Sequence, residues 1–192
     1  MESLNVPTTQ IQRLIETPAM VHEVIQREVP MLSVDWGAKD EDALVHTLGV
    51  NLLAGIGRSL GLVGIAEYPV PRAAQWQRKL VRVDSAWFDP SNRKLELLAE
   101  FERFSRETAI EKLTNLFVAC HGCDSLPRAL LLCLWSLDGV SVDTPWLNSE
   151  RPLSVPGGPP VEKPKDVTVF VVHAVFGRHG EHLHFLRLRR LS

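Results

Sequence analysis

The sequence predicts an α/β fold, a mixed central sheet flanked by helices. Three observations lead there. Helical spacing alternates with short apolar runs along the chain; two strand-like segments flank an obvious turn at Asp89-Pro90-Ser91-Asn92-Arg93; and a continuous apolar run, Arg128 to Leu137, follows a helix. A buried strand reached through a helix implies a parallel crossover, whereas the hairpin is antiparallel, so the sheet must be mixed.

The elements follow in order. Ile11, Leu14, Ile15, Val21, Val24 and Ile25 fall at helical spacing behind Thr8 or Thr9, with Pro18 as a break and Pro30 as the end. A second helix starts near Asp40 with acids in its first turn, and its stripe is Leu44, Leu48, Leu52, Ile56 and Leu60. Leu62 to Val70 suits a buried strand. Arg82 to Phe88 and Lys94 to Phe104 form the hairpin. Thr108 and Glu111 have the spacing of a capping box opening the next helix, which ends near Gly122. Residues 145–164 hold six of the 13 prolines and form a loop or arm. Val167 to Phe176 and His182 to Leu191 close the chain as a hairpin. These boundaries divide it into an N-terminal helical extension (1–39), an α/β core (40–142), and a Pro-rich arm with the C-terminal hairpin (143–192).

Composition excludes several classes. The 192 residues are 45% hydrophobic and 23% charged, enough to bury a core and too apolar for wholesale disorder. No apolar run approaches the ~18 residues that span a bilayer. The start, Met1-Glu2-Ser3-Leu4-Asn5, lacks the basic and apolar stretches of a signal peptide, and three cysteines suit a reducing compartment, so the expectation is a cytoplasmic protein away from membranes. A net charge of −2 means that any nucleic-acid contact comes from a local basic patch.

The leading site candidate is Asp84 with Glu100 and Glu102. Glu100 and Glu102 share one strand face. A loop over Pro90–Arg93 sets Asp84 opposite Ala99, one residue from Glu100, and a one-residue bulge would gather all three carboxylates. Three close carboxylates need a cation, and hard oxygen ligands suit magnesium or manganese. The plain alternative is a set of solvated acids on an exposed hairpin face. Arg72, Arg78, Lys79 and Arg82 around Trp76 form a basic segment just ahead of Asp84, suited to a polyanion with Trp76 stacked on a base; a solvated loop with one buried Trp is the alternative.

The residues Val83-Asp84-Ser85-Ala86-Trp87-Phe88-Asp89, a turn, then Leu97-Leu98-Ala99-Glu100-Phe101-Glu102 resemble the core of the PD-(D/E)XK, or restriction-endonuclease-like, nuclease superfamily. The flanking helix with Glu41, the helix through Lys112-Leu113-Thr114-Asn115-Leu116, and the strand Ala129 to Leu134 extend the resemblance over roughly residues 40 to 137. The resemblance implies a restriction-endonuclease-like core and a metal-dependent phosphodiesterase acting on DNA, in defence or repair. It makes Asp84 and Glu100 metal ligands and Glu41 a supporting acid. Glu102 stands where the family usually has lysine, binding metal or positioning water, and Lys112 is the substitute cation from the next helix. The departure at Glu102 keeps a second reading open: a catalytically inactive nuclease-like domain serving as a binding or assembly subunit. A homodimer or larger assembly is likewise open.

Other motifs carry less. Gly55 to Gly61 has the look of a dinucleotide loop, but a helix precedes it and a strand follows, the reverse of what phosphate binding needs. Cys120-His121-Gly122-Cys123 has a zinc half-site spacing without a second pair. His173, His179, His182 and His184 crowd the tail and are either a polar strand face or a metal-binding regulatory element.

Overall fold

A computed structural model describes residues 9, 11–13, 17–70, 76, 81–142 and 151–191. Helix α1 spans Pro18–Glu28 and β1 Ala38–Lys39. Helix α2 (Asp42–Ser59) leads to β2 (Val63–Val70), β3 (Val81–Phe88) and β4 (Leu95–Arg103). Helix α3 (Arg106–Gly122) precedes β5 (Ala129–Leu137), and β6 (Thr168–His179) and β7 (His182–Arg190) end the chain. The seven strands form one mixed sheet in the order β1-β7-β6-β5-β4-β3-β2. Strand β3 runs antiparallel to both of its neighbours, β2 and β4; β5 lies parallel to β4, and β6 parallel to β5. The expected crossover is thus present, and the C-terminal hairpin continues the same sheet.

Each face has its own core. On one, α1 and α2 bring Val21, Ile25, Leu52 and Ile56 onto Trp87, Leu97, Phe101, Leu131 and Phe170. On the other, α3 brings Leu113, Leu116 and Phe117 onto Val83, Leu98, Leu130 and Leu132, where Leu153 and Val161 of the Pro-rich arm join them. Strand alternation sorts these side chains. The glycines of α2 let it sit close to the sheet: a Cβ on Gly49 would lie 2.1 Å from the Phe101 ring.

Several expectations are corrected. Leu62 to Val70 is an edge strand with one exposed side, because among the described residues β2 has only β3 beside it. The capping box of α3 is Ser105 with Thr108: the Ser105 hydroxyl accepts the Thr108 N–H and Thr108 Oγ accepts the Ser105 N–H. A short strand absent from the expected elements, β1, pairs with β7. Residues 151–164 hold only turns and the isolated bridge Leu153↔Val161, as their proline content requires.

Trp87 and Phe101 are fully buried, and the Trp87 indole N–H donates to the Leu53 carbonyl of α2. Replacing either with alanine is expected to cost roughly 3–5 kcal/mol through the cavity left behind. Urea unfolding measures this, and a loss under about 1 kcal/mol for both would contradict the packing described.

Candidate functional site

The site begins with a bulge. Near the turn, Phe88 pairs with Leu95, but Trp87 pairs with Leu97, so Glu96 is the extra residue in β4. This single insertion shifts the register that the loop alone would set. The ladder runs to Ser85↔Ala99, and one step beyond it Asp84 stands level with Glu100. There Asp84 turns its carboxylate onto the backbone of β4, and Oδ2 accepts the Phe101 N–H at 2.7 Å.

From the α3 face, Lys112 reaches the carboxylates. Its Nζ is 3.0 Å from Glu100 Oε2 and 3.5 Å from Glu102 Oε2, and Asp84 adds to the field on it. The three acids named from sequence therefore gather around the cation named with them. Glu100 has no exposed surface, and its Oε1 has no hydrogen-bond partner among the described residues. Burial first, and then the Asp84 charge, push the Glu100 carboxyl well above the usual range, against the pull of Lys112. Burial also pulls the Lys112 ammonium down, but the Glu100 and Asp84 carboxylates outweigh it and hold the pKa above the ordinary lysine value.

From the α2 face comes a side chain that sequence reasoning missed. His46 Nε2 lies 3.6 Å from Asp84 Oδ1. A second missed residue is Glu67 on β2. The pairs Ala66↔Ser85 and Tyr68↔Val83 bracket Glu67 and Asp84, which therefore stand level on adjacent strands. Glu67 has a φ of 53°, left-handed backbone in the middle of a strand, a conformation costing of order 1–3 kcal/mol for a non-glycine residue. The candidate ligand atoms of His46, Glu67 and Asp84 lie within 4.8 Å of one another, and this trio could hold a metal ion. It is the one such group among the described residues.

The chain stands apart in comparisons with known proteins. Family models, curated proteins and solved structures give no match.

Other sequence candidates fall elsewhere. Glu41 stands exposed at the N-cap of α2 with its carboxylate 2.8 Å from Lys39, away from the metal-capable trio. Trp76 is buried: its indole N–H donates to the Pro159 carbonyl and its ring lies 5.5 Å from His121, so it anchors the Pro-rich arm instead of facing a base. Arg82 is exposed and 3.5 Å from Glu67. Arg72, Arg78 and Lys79 lie outside the described residues. The cysteine pair has no metal group among the described residues; burial pushes Cys120 to about 12 and Cys123 to about 11, and the Cys123 thiol donates to the Ala119 carbonyl. No described helix is long and apolar enough to cross a membrane.

The signals for the missed residues were faint. His46 is one of seven histidines with no distinguishing spacing. Glu67 is the lone acid in an apolar strand, a visible oddity, but its partner strand is reached through a segment whose length does not fix a register.

Removing one partner of a buried ion pair leaves the other charge uncompensated. Lys112→Ala is expected to cost roughly 3–5 kcal/mol at about pH 8. The raised Glu100 value favours its neutral form in the folded protein, so this group's stabilising contribution is greatest at low pH and is lost as pH rises through that value. The Lys112→Ala penalty therefore shrinks near pH 5, and Lys112→Ala combined with Glu100→Gln recovers most of it. Urea unfolding of the three variants at both pH values measures this; a penalty independent of pH would show that the pair is not electrostatically coupled.

Proposed function

We propose that this chain is a divalent-metal-dependent phosphodiesterase that hydrolyses nucleic acid, DNA first among the substrates. The observation that carries the reading is the meeting of Asp84, Glu100 and Lys112 where the β3–β4 ladder ends, with a buried Glu100 oxygen left without a partner. The order of elements supports it too. A helix, three strands in antiparallel succession, a helix and a parallel strand run from α2 to β5, an order compatible with the one the sequence resemblance implies.

The donor set fits a hard cation. An unsatisfied buried carboxylate oxygen and two further acids are what magnesium or manganese binds. His46 in the neighbouring trio is a nitrogen donor, which suits zinc or iron more than magnesium or manganese, so the all-oxygen set of Asp84, Glu100 and Glu102 is the better fit to the hard ion. Asp84, with either Glu100 and Glu102 or His46 and Glu67, would hold the ion. When bound, such an ion lowers the pKa of its water and offsets charge on a phosphoryl oxygen. Lys112 stays an ammonium at neutral pH, so its part is electrostatic: it orients Glu100 and Glu102 and faces the developing negative charge. Water attacks phosphorus as the bond from phosphorus to the leaving sugar oxygen breaks; the water gives up a proton to solvent, and the leaving oxygen takes one from solvent to become a hydroxyl.

One observation favours the second reading, an inactive nuclease-like domain that binds or assembles. Lys112 already pairs with two of the acids, so part of the cluster's charge is offset without a metal.

Thermal melting and cleavage separate the two. Millimolar manganese or magnesium is expected to raise the melting temperature and support cleavage of oligonucleotides. Asp84→Asn and Glu100→Gln should abolish both effects while leaving the metal-free fold intact or slightly more stable. If neither ion shifts the wild-type melt nor supports cleavage of DNA or RNA, the enzyme reading is lost and the binding domain takes its place.

A further inference from the structure

The tail histidines have no part in the site above, and the fold separates them. His173 is buried on β6 against Ser136. His179, His182 and His184 instead meet at the turn end of the β6–β7 hairpin, where they line one cleft of about 370 Å³. The other wall of the cleft is the segment ahead of β1, with Asp35 and Trp36. His179, His182, Asp35 and Trp36 are exposed and His184 is half-buried, so solvent and ions reach these side chains.

Strand register builds the cluster. His179 pairs directly with His182 across the turn Gly180-Glu181, and Gly177 pairs with His184. Residues 177 and 179 therefore share a face with 182 and 184, while Leu183 and Phe185 point into the core beneath α1 and α2. Directly opposed Cβ atoms stand about 4.5–5.5 Å apart and diagonal ones about 7–8 Å, so the three imidazoles start within reach of one point. Gly177 lets them converge. The His184 ring lies across it, with Nε2 2.6 Å from where a Cβ would be, so this imidazole leans toward β6, the strand that carries His179. Gly37, at a φ of 78°, comes so near that its Cβ would lie 2.9 Å from the His182 Cβ, which seats Asp35 and Trp36 beside the histidines. Lys39 also pairs with His182, but its ammonium is engaged by Glu41 at 2.8 Å and it does not line the cleft.

We infer that this cleft binds a borderline divalent transition ion of the zinc and nickel class through the imidazoles of His179, His182 and His184. Three nitrogen donors select that class over magnesium and manganese, which take oxygen. They leave a fourth position for water, with the Asp35 carboxylate on the cleft wall adding negative charge beside the cation. The donor atoms are not all within 4.8 Å of one another, as those of His46, Glu67 and Asp84 are. Exposed side chains change rotamer in picoseconds to nanoseconds, so gathering them takes only rotation about χ1 and χ2. The bound ion ties the segment ahead of the two-residue β1 to the C-terminal hairpin. Nothing in this inference depends on the phosphodiesterase reading.

Calorimetric titration of the full chain with zinc chloride and with nickel chloride, near neutral pH after treatment with a chelator, tests this. The proteins are wild type, His182→Ala, His179→Gln and Asp84→Asn, the last removing a ligand from both the carboxylate cluster and the His46 trio. Wild type is expected to take up either ion at this cleft, and His182→Ala and His179→Gln to weaken that event by about tenfold or more. Asp84→Asn should leave it unchanged. Both histidines are exposed, so their variants keep the fold, which the melting temperature without metal checks. Any heat from magnesium or manganese should be the same in wild type and His182→Ala. Cleavage is not read, so the enzyme reading stands or falls separately. Wild type binding neither zinc nor nickel more tightly than about 100 μM overturns the inference and leaves a polar strand face. Wild-type affinity in His182→Ala overturns it too, and loss of that event in Asp84→Asn then places the ion at the His46 trio.

Discussion

A carboxyl group with no exposed surface, in a strand flanked on both sides, governs this structure. Glu100 cannot hold a charge there without a cation within reach, since an isolated buried carboxylate costs several kcal/mol. Lys112 meets that need only if α3 begins where it does. Ser105 and Thr108 cap each other's backbone groups and start the helix two residues past the end of β4, so that Lys112 comes round above Glu100 in the second turn. The crossover that follows lays β5 beside β4 and seals Glu100 from the other side. One side chain thus constrains a cap, a helix phase and a strand pairing together.

The opposite face answers to Phe101, the next residue. Its ring fills the space a side chain at Gly49 would need, so α2 is seated on β4 at that point. His46 lies three residues earlier and is brought down onto Asp84 by the same approach. Asp84 is consequently addressed from both sides of the sheet: His46 from above, and Lys112 with Glu100 from below. This is possible because β3 and β4 stop pairing at Ser85↔Ala99, leaving a gap that a carboxylate occupies instead of a ladder hydrogen bond.

Much of this was legible in the sequence, and the exceptions have physical causes. The α/β class, the hairpin and the parallel crossover follow from periodicity, because burial is what periodicity records. The grouping of Asp84, Glu100 and Glu102 hinged on a bulge that the sequence could pose but not locate; Glu96, a charged residue in an apolar strand, is where it lies. Lys112 emerged only through the family resemblance, since nothing in its spacing marks it. His46 and Glu67 escaped because they come from an element pair whose relative placement is tertiary. Trp76 was misread because its partner, the Pro159 carbonyl, lies 83 residues on, and no local pattern reports a contact of that range.

The left-handed residue in β2 has a further consequence, for how these molecules behave at high concentration. An outermost strand offers a free row of backbone donors and acceptors to any neighbouring chain, and a flat one invites end-to-end stacking. Here the kink at Glu67 bends that row, its charge stands on it, and Pro69 two residues later removes a donor altogether. At the opposite margin the outermost strand, Ala38–Lys39, is only two residues long. The seven described strands are thereby kept from growing into a ribbon, and on one side the residue that guards the margin is also one that could grip a metal ion.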